Sequence, residues 1–187
     1  MKNTKKFVAA LIAVATTASL AVTAFAADYG SAPTFVPEPN SGVSVSASEL
    51  NDAVTGASDT ATVEVKTTAS LPVSSRTIKE LVKEGKILEI VSSKATITVD
   101  PSTVTKVKKI DLSMKVISTT SKTRIKMRSK KDFGCDVKIT VTDCKMSADA
   151  LAKAHVYCNG EDLGAVELDE NGNPVITVTK GGTYEIK

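Results

Sequence analysis

The residues most suggestive of chemistry are cations that alternate along one short segment. Every even-numbered residue from 122 to 130 carries a positive charge, and the apolar residues Ile125 and Met127 lie between them. If the segment is a strand, alternate side chains project from one face about 7 Å apart. Such a row could pair with an anionic polymer, such as teichoic acid or a uronic-acid polymer, or with an acidic protein. The candidate polyanion-binding residues are Arg124, Lys126, Arg128 and Lys130.

The same segment also has a purely structural interpretation. Lysines on an edge strand protect a sheet against pairing with another sheet, so the row could be a solvated edge. Nucleic acid is not expected as a partner, because export is predicted and only Phe133 lies nearby for base stacking. Any binding of a polyanion would weaken with salt, since charges more than about 8 Å apart are screened at physiological ionic strength.

The thiols and the single histidine form no strong catalytic or metal-binding pattern. His155 is predicted to point to solvent from a strand, and catalysis with Cys144 would also require an orienting acid. Cys135 and Cys158 fall on the apolar side of their strands, which predicts buried thiols, with one disulfide as an alternative. Zinc is not expected, because no C-x-x-C or paired Cys and His spacing occurs. We therefore predict no enzymatic activity, no metal and no cofactor.

One acidic segment has part of a calcium-loop pattern. Asp169-Glu170-Asn171-Gly172-Asn173 has the D-x-N-G spacing, but position twelve from Asp169 is Lys180. An EF-hand needs a carboxylate there and flanking helices. The segment is therefore predicted to be a hairpin turn.

Aromatic residues are too few to favour sugar binding by flat platforms. The chain has no Trp, three Tyr and four Phe. Tyr157 and Tyr184 lie at strand positions where packing is favoured over ligand contact. A carbohydrate-binding module is therefore the alternative function and not the leading one.

The N-terminus predicts where the protein acts. Met1 to Lys6 is basic, Phe7 to Ala15 is apolar, and Ala24-Phe25-Ala26 places small residues before a cleavage site. This organisation is typical of a secretory signal peptide, assigned to 1–26. The three lysines of that segment leave 21 basic and 21 acidic residues in the rest of the chain. Residues 106–131 hold ten of these basic residues and one acid, so a neutral exported protein with one cationic block is predicted.

The elements that must position these residues are mostly strands. A proline-rich linker is predicted over 27–45, and helical spacing predicts short helices over 46–56 and 76–84. In the second helix Ile78, Leu81 and Val82 are predicted to form one apolar stripe. Alternation predicts strands over 62–66, 87–91, 95–99, 107–118, 137–142, 154–157, 164–168, 175–178 and 184–186.

Three dipeptides between the last strands predict hairpin turns. They are Asn159-Gly160, Asn171-Gly172 and Gly181-Gly182, which accept the positive φ of tight reversals. A meander of at least four strands would follow. The predicted fold class is mainly β (α+β): β-sandwich-like antiparallel sheets with one or two short helices in the N-terminal half. Residues 46–187 are predicted to form a single β-rich domain, with two subdomains meeting near 120–132 as the alternative.

A family resemblance covers about residues 46–187. Ser74 to Leu88 contains Ile78, Leu81 and the step Gly85-Lys86-x-Leu88, and the second half has turns such as Leu168 to Asn173 and Thr179 to Tyr184. These residues resemble a repeat-type β-rich extracellular module of secreted and surface proteins from clostridia-like Gram-positive bacteria. The resemblance implies a non-enzymatic extracellular module. The cationic block has no counterpart in the pattern of that module.

Together these observations predict a secreted, non-catalytic structural or adhesive module at the bacterial exterior. Its expected partner is a cell-wall or other anionic polymer, with a protein partner also open, and no membrane association is expected after signal cleavage. The alternative is a carbohydrate-binding module of an extracellular polysaccharide-degrading system. An uncharacterised hydrolase is a third hypothesis.

Overall fold

A computed structural model describes residues 46–66, 68 and 70–187 of the protein. The predicted signal peptide and linker lie outside the described residues. The described chain is mainly β, as predicted, with short helices around antiparallel sheets. Among its helices, none has the length and apolar character needed to span a membrane.

The helices are short and begin at serine N-caps. Helix α1 spans Ala47–Gly56, α2 spans Ser75–Glu84 and α3 spans Ala148–Leu151, with a 3-10 turn at Pro101–Thr103. The Ser46 hydroxyl accepts a hydrogen bond from the Glu49 amide, and the Glu49 carboxylate accepts one from the Ser46 amide, which completes a capping box. The first two helices were predicted, whereas α3 was not. Val82 was placed on the apolar stripe of α2 wrongly, because its side chain is 44% exposed.

A buried lysine joins the two N-terminal helices. Gly85 ends α2 in the left-handed conformation at φ +66°, and the chain then turns so that Lys86 reaches the end of α1. The Lys86 Nζ donates to the carbonyl oxygens of Val54 at 3.2 Å and Thr55 at 3.5 Å. The last carbonyls of a helix have no partner within the helix, so this ammonium group caps α1.

The described part of the chain forms thirteen strands. They are β1 (Thr60–Glu64), β2 (Pro72–Val73), β3 (Ile87–Val91), β4 (Thr96–Val99), β5 (Ile110–Asp111), β6 (Met114–Ser118), β7 (Thr123–Met127), β8 (Asp132–Thr140), β9 (His155–Cys158), β10 (Glu161–Ala165), β11 (Glu167–Leu168), β12 (Pro174–Lys180) and β13 (Thr183–Ile186). The predicted strand over 107–118 is in fact β5 and β6, separated by Leu112 and Ser113. Ile110, Leu112, Met114 and Val116 nevertheless share the buried side, as expected from alternation, whereas Val107 and Ile117 are exposed.

The strands form two large sheets and a two-stranded ribbon. The first sheet has the order β1-β3-β4-β8-β12-β11, the second has the order β10-β9-β13-β7-β6, and β2 pairs with β5. All pairs are antiparallel except β1 with β3. Both large sheets contribute their apolar residues to one hydrophobic core, which gives the sandwich-like arrangement that was predicted.

The last strands do not form the predicted meander. Asn159 and Gly160, at φ +51° and +96°, do make a hairpin between β9 and β10. Gly181-Gly182 instead carries the chain from β12 in the first sheet to β13 in the second. A Cβ at Gly181 would lie 1.9 Å from the Ser129 carbonyl oxygen, so this glycine permits a close backbone approach and not a tight reversal.

Candidate polyanion-binding surface

The cationic segment enters the second sheet as an internal strand. Strand β7 lies between β13 and β6, so the interpretation of the segment as an edge strand is wrong. Within it Arg124 and Lys126 are exposed, while Ile125 and Met127 are buried, as the alternation predicted. The apolar residues therefore anchor the strand in the core and direct the two cations to the outer face.

Arg124 is neutralised by an acid of its own sheet. Its Nε and Nη2 atoms lie 2.6 and 2.5 Å from Oε1 of Glu185, which is directly opposite on β13. The hydrogen bond from Arg124 holds the pKa of Glu185 below its usual range, with smaller contributions from Lys122 and Lys187. Of the four predicted binding residues, Arg124 thus already has a partner.

Lys126 is in a different electrostatic environment. Its cross-strand neighbours are Thr183 on β13 and Lys115 on β6. Within residues 46–66, 68 and 70–187 no carboxylate forms an ion pair with Lys115 or Lys126. Directly opposed like charges destabilise a sheet, so this pair is an unfavourable arrangement unless an anion lies nearby.

Arg128 and Lys130 lie beyond the end of β7. The register continues for one more residue, because the Arg128 amide donates to the Ser113 carbonyl at 2.8 Å. Arg128 is exposed, whereas Lys130 belongs to the irregular segment before β8. Neither forms an ion pair with a carboxylate of the described part of the chain. We define the cationic surface as Lys115, Lys126 and Arg128, with Lys130 flanking it.

Lys115 was not among the predicted site residues. From the local sequence, Lys115 can be predicted only to be an exposed residue on a strand with alternating polar and apolar residues. The signal that could have found it is the polar turn Thr119 to Lys122, which is closed by the Thr119 amide donating to the Lys122 carbonyl at 2.9 Å. A turn at that position sets the register of β6 on β7 and places Lys115 opposite Lys126.

His155 and Cys144 have separate partners. His155 is exposed, as predicted, and its Nδ1 lies 2.9 Å from Oδ2 of Asp162. A hydrogen bond from the Gly164 amide, followed by that from His155, lowers the pKa of Asp162. The Cys144 Sγ instead lies 3.4 Å from the Thr123 hydroxyl. The arrangement therefore does not place a base against this thiol.

The other two cysteines are buried, as their strand positions predicted. Cys135 and Cys158 are 5% and 6% exposed, and all three cysteines are free thiols. Burial raises the pKa of the Cys135 thiol to about 11. A thiol in such an environment stays protonated near neutral pH and is a poor nucleophile.

The Asp169 segment forms a turn held together by its own side chain. Oδ1 of Asp169 accepts hydrogen bonds from the amides of Asn171 at 2.9 Å and Asn173 at 2.8 Å, and Oδ2 accepts one from the Asn173 side chain at 3.0 Å. The predicted turn is confirmed. Within the described residues, no cluster of three or more His, Cys, Asp or Glu side chains suited to a metal is found.

The aromatic residues divide between the core and the outer face. Phe133 and Tyr184 are buried, and the Tyr184 hydroxyl donates to the Lys180 carbonyl at 2.6 Å. Tyr157 is half-buried, and the Lys187 Nζ lies 4.4 Å from its ring centroid. Packing is thus confirmed for Tyr184, and a cation lies over the ring of Tyr157.

Comparison of the chain with protein-family models, with curated proteins and with solved structures found no match to any of them.

Proposed function

We propose that the protein is a secreted, non-catalytic structural or adhesive module that binds anionic polymers through its cationic surface. The observation that carries this proposal is the pair Lys115 and Lys126, which are directly opposed across β6 and β7. A repeating anion placed over the pair would convert a repulsion within the sheet into two attractions.

The distribution of acids supports the same proposal. Arg124 is paired with Glu185, and Lys108 is paired with Asp132 at 2.5 Å. These two cations of the basic block therefore have acids built into the fold. The cationic surface has none among the described residues, so its charge is available to an external partner.

The fold presents these charges rigidly. Lys126 belongs to an internal strand whose alternate residues are buried, so its backbone is fixed on both sides by hydrogen bonds. Long lysine side chains lose rotamer entropy on binding, but the backbone has no further ordering cost. Binding of this kind releases counterions from the polymer and falls with salt.

Retention of the protein on two immobilised polymers, polyphosphate and polygalacturonate, tests the proposal across a salt series. The variant Lys115→Glu/Lys126→Glu/Arg128→Glu removes the surface, and Arg124 is left intact because a glutamate there would face Glu185. We expect saturable binding of the natural protein to at least one polymer. In the variant the slope of log affinity against log salt should fall by about one for each cation removed.

A matched variant controls for net charge. Arg76→Glu/Lys79→Glu/Lys153→Glu makes the same change of charge at three exposed positions outside the surface. We expect it to lose less affinity than the surface variant. Equal losses in the two variants, or retention that does not change with salt, would contradict the proposal.

A further inference from the structure

A cavity adjoins the cationic surface and has its own chemistry. Its volume is about 290 Å³, and it lies where the turn between β3 and β4, the segment after β1 and strand β6 meet. Two apolar residues of β6 form part of its wall. The polar residues that line it are Lys66, Thr68, Ser92, Ser93, Lys94 and Lys115.

Backbone hydrogen bonds hold the walls of this cavity in place. The Val65 amide donates to the Val91 carbonyl at 2.7 Å, and the Met114 amide donates to the Thr68 carbonyl at 2.7 Å. Val65 is therefore fixed to the first sheet and Thr68 to β6. The Ser92 hydroxyl donates to the Ala95 carbonyl at 2.8 Å and stabilises the turn that carries Lys94. The described walls of the cavity are thus held by hydrogen bonds to elements of both sheets.

The described residues that line the cavity carry only positive charge, since three lysines line it and no acid of the described chain does. Lys66 already has an interaction partner, so Lys94 and Lys115 are the two lysines that this argument uses. Asp143 contacts the turn that carries Lys94, because its amide donates to the Lys94 carbonyl at 3.4 Å. Its carboxylate is 2.5 Å from the Lys145 Nζ, which is the first cause of its lowered pKa, and Lys94 is a smaller cause. The Ser93 side chain is exposed and has no hydrogen-bond partner among the described residues. Lys94, Lys115 and Ser93 therefore offer donors to one small volume.

We infer that this cavity binds a phosphate group carried on a sugar-sized or polyol-sized unit. Lysine binds phosphate as a point charge, and several ammonium groups favour an anion with more than one negative charge. A volume near 300 Å³ is at the lower end of ligand sites, which suits a sugar phosphate. Because Lys115 belongs to both the cavity and the cationic surface, the inference deepens the proposed function: the cavity would recognise a phosphomonoester group on the polymer, such as one on its terminal unit, since a phosphodiester within the polymer carries only one negative charge.

The inference is tested by titrating the isotope-labelled full chain with glycerol 1-phosphate and monitoring the amide chemical shifts by NMR. We expect saturable shifts at Ser93, Lys94 and Lys115. The variant Lys94→Gln/Lys115→Gln should raise the dissociation constant by about tenfold or more, because two of the favourable charges are lost. Lys79→Gln/Lys153→Gln, which removes two exposed lysines elsewhere, should leave the constant unchanged.

Two further experiments distinguish binding in the cavity from binding on the cationic surface. Lys126→Glu/Arg128→Glu should lose retention on polymers while glycerol 1-phosphate still saturates Ser93 and Lys94. Galacturonic acid should bind the cavity about tenfold more weakly than glycerol 1-phosphate, since it carries a single charge. The absence of saturable shifts, unchanged affinity in Lys94→Gln/Lys115→Gln, or equal affinity for the two ligands would each overturn the inference.

Discussion

Replacement of Lys86 by methionine should destabilise the N-terminal part of the domain by a measurable amount. The residue is 9% exposed, and its Nζ donates to the carbonyls of Val54 and Thr55 at the end of α1. Methionine keeps most of the apolar stem but removes the ammonium group, so both carbonyls lose their donor.

The expected magnitude follows from two opposing effects. Hydrogen bonds to a charged group contribute about 1.5 to 3 kcal/mol, whereas removal of the ammonium also removes the cost of its burial. The net loss of unfolding free energy should be about 1 to 2 kcal/mol. For a domain of this size that corresponds to a decrease in Tm of about 3 to 6 °C.

Urea denaturation followed by circular dichroism measures this loss, and hydrogen exchange locates it. The Ala57 amide, which donates to the Ala53 carbonyl at 3.1 Å, should exchange faster in the variant. Lys79→Met on the exposed side of α2 is the matched control and should leave both readouts unchanged. A Lys86→Met protein with natural stability, or one destabilised without faster exchange in α1, would refute the capping role.

Two further predictions concern stability. Gly181→Ala should lower the free energy of unfolding by at least about 2 kcal/mol, because the new Cβ would lie 1.9 Å from the Ser129 carbonyl oxygen. Gly56→Ala at the end of α1 is the control: nothing lies within 4 Å of its Cβ, so it should be neutral or stabilising. Urea unfolding of the two variants measures the difference, and equal stabilities would show that the close approach is not constraining. Hydrogen bonds to the Asp169 carboxylate, of which the one from the Asn173 side chain has the largest effect, lower the pKa of Asp169. The ionised carboxylate therefore stabilises the fold above about pH 4, and this stabilisation is lost as the pH falls through the lowered pKa. In urea titrations between about pH 5 and pH 2 the stability gap between the natural protein and Asp169→Asn should shrink with falling pH, and a constant gap would be evidence against the ionised turn.

Local sequence patterns predicted most elements, because those patterns are themselves the physical cause of the elements. The serine caps fix the starts of α1 and α2, and the alternation of Arg124, Ile125 and Lys126 fixes which side of β7 is buried. The fold class follows from these local choices, since one-sided strands bury their apolar faces most simply against a second sheet.

Features that depend on contacts distant in sequence could not be predicted in the same way. The partner of Arg124 is 61 residues away, and nothing near either residue indicates the pairing with Glu185. Gly181-Gly182 has the composition of a tight turn, but its role is set by the carbonyl of Ser129. The cavity combines three segments around Lys66, Lys94 and Lys115, which meet only after both sheets have formed.

The position of β13 in the second sheet has a consequence for biosynthesis. This strand lies at the centre, between β9 and β7, yet it follows every other strand of its sheet along the chain. Until residues 183–186 leave the ribosome, the sheet exists only as two separate hairpins with open edges, which are prone to associate with other chains. Completion of the sheet must therefore wait until residues 183–186 are free to pair, and a chain truncated before Thr183 should aggregate instead of folding.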